Sequence, residues 1–180
     1  MKNVLVNGGL RVHTVPKVAS TSQSAAMLWK RPCRAYPDEQ NDDYKFMAVR
    51  HPFDRLVSAW IYFTPAERLR HSQVFKHAVW PDMPFGAFVE LVCQHPMKDK
   101  HTATQVRFKG GVEIDDLVRL EDMAPRWNAL VGRFPVATMA HRNKTDHKSW
   151  PEYFTPALKA IAGDAYSQDI ELYEGITKWI

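Results

Sequence analysis

Apolar residues follow two spacings along this 180-residue chain, one typical of strands and one typical of helices, and the two alternate. The first fifteen residues, MKNVLVNGGLRVHTV, contain two short apolar runs around Asn7-Gly8-Gly9. Asparagine and glycine tolerate the positive φ of tight turns, so this segment predicts a β-hairpin. Its second strand, Arg11–Val15, runs into the loop VPKVASTS (Val15–Ser22). The following SQSAAMLWK predicts a helix that stops at Pro32.

The order of strand, loop and helix recurs in the segment YKFMAVRHPFDRLVSAWIYF. Tyr44–Val49 is a mostly apolar run of strand length, and RHPFD interrupts it. Asp54 is the predicted N-cap of the next helix. That helix places four apolar side chains on one face: Leu56, Val57, Trp60 and Ile61.

The rest of the chain continues the alternation. PFGAFVELVCQ and EDMAPRWNALVGRF predict helices, and IDDLVRL between them predicts a strand. Thr155–Glu174 predicts one long helix with a buried face of Leu158, Ile161, Ala162, Ala165 and Tyr166. This alternation indicates an α/β fold with a mainly parallel central sheet and flanking helices. Ligands of such sheets bind beyond the carboxyl ends of the strands, where the next helices begin.

Composition limits the size and the class of the protein. With 45% hydrophobic residues the chain can bury one sizeable core, so a single domain over residues 1–180 is expected. The net charge of +4 is small and spread out, which favours an anionic ligand and argues against a nucleic-acid partner. Cys33 and Cys93 stand in unrelated contexts and suggest neither a zinc cluster nor a disulfide framework. No apolar run is long enough for a transmembrane segment or a signal peptide.

The loop VPKVASTS carries the first candidate chemistry. Ser20, Thr21 and Ser22 lie at the predicted start of a helix, where unpaired N–H groups and the helix dipole attract an anion. Lys17 adds a mobile positive charge. The alternative is that Ser20 or Thr21 simply caps the helix and Lys17 is a solvated loop residue. The loop lacks the glycines of a Walker A motif, which disfavours kinase or NTPase chemistry.

Arg50 and Ser58 are the corresponding candidates in the second strand–loop–helix segment. Arg50 follows the predicted strand, and Ser58 lies one helical turn past Asp54, so both are placed to bind a second phosphate. The alternative is that Arg50 pairs with Asp54 and Ser58 faces a neighbouring helix. Two such loops in one small sheet suggest a ligand with two separate phosphate groups.

Both segments resemble motifs of a known enzyme family. PKVASTS resembles the 5′-phosphosulfate loop of the sulfotransferases, and KFMAVRHPFDRLVSAW resembles their 3′-phosphate motif. PFGAFVELV, HTATQ, VEIDDLVRLEDM, HRNKT and AYSQDIELYEG follow in the order seen in the carbohydrate sulfotransferases of the chondroitin 4-O and HNK-1 type. The resemblance extends from Val15 to Gly175 and is weaker in the middle segments than in the two loops. It implies a P-loop-like sulfotransferase fold.

The resemblance also implies a donor and the residues that bind it. These enzymes transfer a sulfuryl group from 3′-phosphoadenosine 5′-phosphosulfate (PAPS) to a sugar hydroxyl and release 3′-phosphoadenosine 5′-phosphate (PAP). By resemblance, Arg50 and Ser58 would hold the 3′-phosphate, and the 5′ end would be held by Lys17, Val18, Ala19, Ser20, Thr21 and Ser22. Arg142 and Lys144, in RNKT, resemble a later family segment near the nucleotide. Lys17 suits the neutralisation of charge on the leaving phosphate oxygen, and this in-line displacement needs no metal.

The proton acceptor for the attacking hydroxyl is the least determined part of the mechanism. Many relatives place a His or Glu between the two nucleotide motifs, whereas residues 23–49 of this chain contain no His. His101 is our first choice, because HTATQ matches the position of a family HW segment; the alternative is an exposed loop histidine. His51 directly follows Arg50, where the family commonly has Asp, and His13 lies on the strand that enters the first loop; both rank behind His101.

Differences from the family set the remaining expectations. Golgi relatives carry a membrane anchor and luminal disulfides, whereas this chain begins almost at its first strand, so we expect a minimal soluble form, cytoplasmic and of bacterial or viral origin. The acceptor is expected to be a carbohydrate, with a lipid, protein or small-molecule hydroxyl as alternatives, and the oligomeric state is unknown. Two other functions stay open. A kinase-like transferase would bind ATP with magnesium, and a non-catalytic nucleotide-binding protein would bind the nucleotide without turnover.

Overall fold

The computed structural model describes residues 4–27, 31–32, 42–65, 78–140 and 147–176, with the backbone alone at 31–32. Residue contacts divide the chain into two compact units. The first comprises Met1–Arg50, Gln105–Lys144 and Ile176–Ile180, and the second comprises His51–Thr104 and Thr145–Gly175. The expectation of a single domain stays a prediction, and each unit is described by itself.

The first unit begins with the predicted hairpin. Strand β1 (Val4–Asn7) pairs antiparallel with strand β2 (Leu10–His13), and Asn7 lies opposite Leu10. Gly8 and Gly9 form the turn with φ of 53° and 81°, the left-handed values that glycine adopts without strain. The hairpin is therefore confirmed, although β2 ends at His13 and not at Val15.

Three further strands join the hairpin: β3 (Arg31–Pro32), β4 (Tyr44–Val49) and β5 (Asp116–Arg119). The short β3 pairs antiparallel with β1, whereas β4 runs parallel to both β2 and β5. Among the described residues this gives a five-stranded sheet at the centre of the first unit, in the order β3-β1-β2-β4-β5. The predicted α/β class with a parallel central part is confirmed. The three parallel strands end at the same edge of the sheet, and the loop after β2 and Arg50 after β4 both follow from that edge.

In the part of the first unit that the structure describes, the α-helices are α1 (Ser20–Ala26), α4 (Val106–Lys109) and α5 (Met123–Leu130). Trp127 of α5 packs edge-on against Phe46 of β4, and both side chains are fully buried. Pro125 is tolerated because it lies in the first turn of α5, where its missing N–H removes no bond within the helix.

The second unit is helical in the residues that the structure describes. It contains α2 (Pro52–Phe63), α3 (Phe85–Gln94), α6 (Pro156–Ala165) and α7 (Ser167–Glu174), with a 3₁₀ turn at Trp150–Glu152. Their apolar faces enclose one core that includes Phe63, Phe88 and Tyr166. Among the described helices, none has the length and apolar character needed to cross a membrane.

Three predictions on this unit were wrong. The predicted single helix Thr155–Glu174 is divided at Tyr166, whose φ of −121° lies outside the helical range. The Tyr166 hydroxyl donates a hydrogen bond to the Thr102 carbonyl at 2.7 Å. Ile161, predicted to be buried, is exposed. The N-cap of α2 is His51 and not Asp54, because the His51 ring accepts the hydrogen bond of the Phe53 N–H.

Candidate functional site

The loop after β2 has an unusual backbone. Lys17 and Ala19 have φ of 68° and 48°, in the left-handed region, while Val18 between them does not. Non-glycine residues rarely adopt this region, and each such residue stores strain of about 1–3 kcal/mol. The side chains of Val15 and Val18 are fully buried and anchor the loop from beneath, and the Val18 N–H donates to the Val15 carbonyl. A turn of this kind can direct successive backbone N–H groups into a concave cradle for an anion.

Helix α1 starts without a side-chain cap. Its N-cap is Ala19, which has no polar side chain, so the interpretation of Ser20 or Thr21 as the cap is wrong. Ser20 is half-buried, Thr21 is exposed and Ser22 is buried, all in the first turn. The N–H groups of this turn and the positive end of the helix dipole therefore follow directly on the left-handed loop.

Arg50 is fixed through its backbone at the end of β4. The side chain of Gln105 accepts a hydrogen bond from the Arg50 N–H at 3.0 Å and donates one to the Arg50 carbonyl at 2.8 Å. Gln105 is fully buried, so the two bonds supply both backbone groups of Arg50 with partners where the β ladder stops. Sequence reasoning quoted the segment HTATQ only for its histidine and missed Gln105.

The guanidinium of Arg50 connects the two candidate loops. Its Nη1 donates to the backbone carbonyl oxygen of Lys17 at 3.3 Å. The structure thus brings Arg50 and the loop of Lys17–Ser22 together within the first unit, as the pairing of the two motifs suggested. The planar guanidinium presents several N–H donors, an arrangement suited to an anionic ligand.

The structure does not bring the three other predicted ligand-binding residues together with this loop. Ser58 is in α2 of the second unit, where its side chain is buried. Arg142 and Lys144 lie outside the described residues. The proposed roles of these three residues stay predictions.

His101 lies in the second unit, on the loop between α3 and α4. Its Nδ1 is 2.7 Å from Oδ1 of Asp99, and the same carboxylate oxygen accepts the His101 backbone N–H at 2.8 Å. The ring stacks on Tyr62 and meets Phe63 edge-on, with centroid distances of 5.3 and 5.2 Å. Its side chain is only 20% exposed, so the alternative of an exposed loop histidine is wrong.

Burial and hydrogen bonding act in opposite directions on Asp99. Burial alone would raise the pKa of this carboxyl, but the hydrogen bonds from the ring and backbone of His101 lower the pKa below its ordinary value. Asp99 is therefore ionised near neutral pH. Sequence reasoning missed Asp99, although an aspartate two residues before a histidine is the spacing of a turn closed by the aspartate side chain.

Two buried side chains hold the loop that carries His101. Arg55 donates to the carbonyls of Ala103 at 2.6 Å and Lys100 at 3.2 Å, and Tyr166 donates to that of Thr102. Arg55 and Tyr166 are 3% and 1% exposed, so the backbone on both sides of His101 is fixed from within the core.

The other two candidate histidines, His51 and His13, make contacts that hold neighbouring parts of the fold. His51 caps α2, and its ring stacks on Trp150 at a centroid distance of 4.6 Å. His13 is buried, and its Nδ1 donates to the carbonyl of Phe108 at 2.8 Å. Burial lowers the pKa of His13, with Arg11 and Lys45 acting in the same direction and the bond to Phe108 acting against them.

Comparison with protein-family models gives a match over residues 9–174 to a model described as "Sulfotransferase family". The matched range contains the loop of Lys17–Ser22, Arg50, and the Asp99 to Gln105 segment. No curated protein and no solved structure matches the chain significantly.

Proposed function

This chain belongs to the sulfotransferase family, and on that premise we propose that it transfers a sulfuryl group from PAPS to the hydroxyl group of a carbohydrate. The carbohydrate acceptor follows the resemblance to enzymes of the chondroitin 4-O and HNK-1 type. When bound, PAPS supplies the sulfuryl group and a phosphate leaving group. Every other part of the chemistry has to come from side chains and backbone groups of the protein.

One observation carries the proposal: the hydrogen bond between the Arg50 guanidinium and the Lys17 carbonyl. The bond links two features of the first unit. One is a strained, glycine-free loop that leads into a helix without a side-chain cap, and the other is an arginine whose backbone is held at the end of the neighbouring strand. The strain at Lys17 and Ala19 is a cost that a simple connection would avoid, and such outliers cluster at ligand-binding sites. The donor set of backbone N–H groups, hydroxyls and two cations fits a doubly phosphorylated nucleotide.

The loop residues have the following proposed roles. Backbone N–H groups and hydroxyls from Val18 to Ser22 bind the 5′ end of the nucleotide. The ammonium of Lys17 stabilises negative charge on the leaving oxygen. Arg50 and Ser58 bind the 3′-phosphate, and Arg142 and Lys144 are further candidates for the nucleotide. His101 accepts the proton of the acceptor hydroxyl.

The proposal is tested by calorimetric titration with PAP. Wild type should bind PAP, and Lys17→Ala and Arg50→Ala should each weaken binding by about tenfold or more, the scale of a lost charge-assisted hydrogen bond. Arg133→Ala is the matched control, because Arg133 stacks on Tyr44 at the opposite end of β4.

Two results would contradict the donor assignment. One is absence of PAP binding to wild type, and the other is tighter binding of ATP with magnesium than of PAP. Transfer of radiolabelled sulfate from PAPS to chondroitin then tests the acceptor class. PAP binding together with transfer to a non-carbohydrate hydroxyl would retain the donor and reject the carbohydrate.

A further inference from the structure

We propose that Asp99 is a positioning residue that holds the proton of His101 on Nδ1 and so makes Nε2 the atom that receives the acceptor's proton. The inference rests on the proposed function, and it assigns a role to a residue that neither the sequence motifs nor the family match singles out. Asp99 and His101 both lie in the second unit, so the geometry below is internal to it.

The position of the ring proton follows from the chemistry of the contact. An ionised carboxylate can only accept hydrogen bonds, and Asp99 is ionised because His101 lowers its pKa against the effect of burial. The 2.7 Å contact between Nδ1 and Oδ1 therefore requires the hydrogen to be on Nδ1. In the neutral ring this leaves the lone pair on Nε2, the nitrogen able to act as a base.

The orientation of the ring is fixed from three sides. Tyr62 stacks on one face at an interplanar angle of 26°, and Phe63 meets the ring edge-on at 85°. Asp99 holds the Nδ1 edge and the backbone N–H with the same oxygen. Within the part of the chain that the structure describes, the hydrogen bonds of the His101 ring involve Nδ1, and none involves Nε2. The ring therefore presents Nε2 without the need to rotate.

The scaffold behind the pair is also rigid. Arg55 and Tyr166 donate hydrogen bonds to three backbone carbonyls of this loop, those of Lys100, Thr102 and Ala103. A turn that only had to connect two helices would not need a buried guanidinium for its carbonyls. Fixing a base within a fraction of an ångström is what makes proton transfer efficient.

The step balances as follows. The acceptor oxygen forms a bond to sulfur while the bond between sulfur and the bridging phosphate oxygen breaks, and the bridging oxygen takes the electron pair. The proton of the hydroxyl moves to Nε2 of His101. The resulting imidazolium is stabilised by the negative charge of Asp99, and it later releases its proton to water.

The first test needs no acceptor. Nitrogen-15 NMR of the histidine rings, under mildly alkaline conditions, should show the His101 proton on Nδ1 in wild type. Asp99→Ala should abolish this preference. A proton on Nε2 in wild type would overturn the inference whatever the activity of the enzyme.

The second test separates a positioning role from a structural one. In Asp99→Asn, the amide oxygen still accepts the His101 N–H, so the turn is retained while the negative charge is lost. We expect kcat for sulfuryl transfer to chondroitin to fall by about tenfold or more in Asp99→Asn, beyond what any loss of Tm explains, with PAP affinity unchanged. In His101→Ala kcat should fall by about a hundredfold or more. His95→Ala, an exposed histidine of the same polar region, is the control and should retain full activity.

The outcomes are distinguishable. If wild type binds PAP and turns over but Asp99→Asn keeps its kcat, the inference fails while the proposed function stands. If Asp99→Asn loses activity only in proportion to its loss of Tm or of PAP affinity, Asp99 is structural and the inference fails again. Failure of wild type to bind PAP would instead reject the proposed function.

Discussion

The guanidinium of Arg50 donates a hydrogen bond to the backbone carbonyl oxygen of Lys17, across 33 positions of sequence. This bond gives the left-handed loop an external support, because the carbonyl of a residue at φ 68° is turned away from its ordinary direction. The bond also engages one N–H of the guanidinium within the protein. The charge of Arg50 thus has two functions in the proposed site, support of the loop and attraction of the ligand.

Arg50→Lys should therefore weaken PAP binding even though it keeps the positive charge. An ammonium cannot reproduce the planar fork that reaches a carbonyl and a phosphate at once. We expect PAP affinity to fall by about tenfold, measured by calorimetry, and by less than in Arg50→Ala. Arg133→Lys is the control and should leave the affinity unchanged. Wild-type affinity in Arg50→Lys would mean that the position needs only a positive charge.

Gln105→Leu should weaken PAP binding although it removes no charged group. The substitution removes the side-chain partner of the N–H and of the carbonyl of Arg50, at a cost of about 1–3 kcal/mol for each group that is left unsatisfied. Both Tm and PAP affinity are expected to fall, measured by thermal unfolding and by calorimetry. Gln94→Leu, at an exposed position, is the matched control. A normal affinity in folded Gln105→Leu would show that the clamp is dispensable.

The parts of this structure that could be predicted are those that depend on neighbours in sequence. Asn7-Gly8-Gly9 specified the hairpin turn, and the apolar run of Tyr44–Val49 matches β4 residue for residue. Helix ends were less accurate where a distant contact decided them. Tyr166 divides the last predicted helix, and its hydroxyl bonds to a carbonyl 64 positions away.

The site shows the same division between local and distant information. Lys17 and Arg50 were found from their motifs. The contacts that fix them join residues far apart in the chain, which the motifs do not show. Gln105 binds Arg50 from 55 positions away. Asp99 was within reach of sequence reasoning, since it closes a turn with a residue two positions later. The role of Ser58 and those of Arg142 and Lys144 stay predictions.

Ala19→Gly should stabilise the protein slightly. Ala19 has φ 48°, which is costly for a residue with a Cβ and free of cost for glycine, and glycine is also accepted at a helix N-cap. Greater freedom of the unfolded chain offsets part of this gain, so we expect an increase of up to about 1 kcal/mol. Ala25→Gly, at the exposed next-to-last position of α1, is the control with the opposite sign, a loss of up to about 1 kcal/mol. Thermal unfolding measures both, and a lower Tm in Ala19→Gly would contradict the strained backbone.

Cys93 should react slowly with thiol reagents. Burial raises the pKa of its thiol to about 11 from an ordinary value of 9.0, so its thiolate fraction near neutral pH is lower by about 100-fold. Labelling with iodoacetamide, followed by peptide mass spectrometry, should show slow modification of Cys93 in the folded protein and rapid modification in urea. Equal rates in the two conditions would mean that the thiol is accessible in the native state.

His101→Phe should make the protein more sensitive to acid. Two hydrogen bonds from His101 lower the pKa of Asp99 despite its burial, whereas in the unfolded chain Asp99 has its ordinary pKa of 3.8. The ionised carboxylate therefore stabilises the fold fully above pH 3.8, and this contribution is lost as the pH falls through the lowered value. Phenylalanine retains the ring that packs on Tyr62 but removes the Nδ1 donor, so burial should raise the pKa of Asp99 and move the acid-unfolding midpoint to higher pH. In an Asp99→Asn background no carboxylate titrates at this position, and the same substitution should leave the midpoint unchanged. Acid titrations followed by circular dichroism would show this, and an equal displacement in both backgrounds would mean that His101 acts on acid stability through packing and not through Asp99.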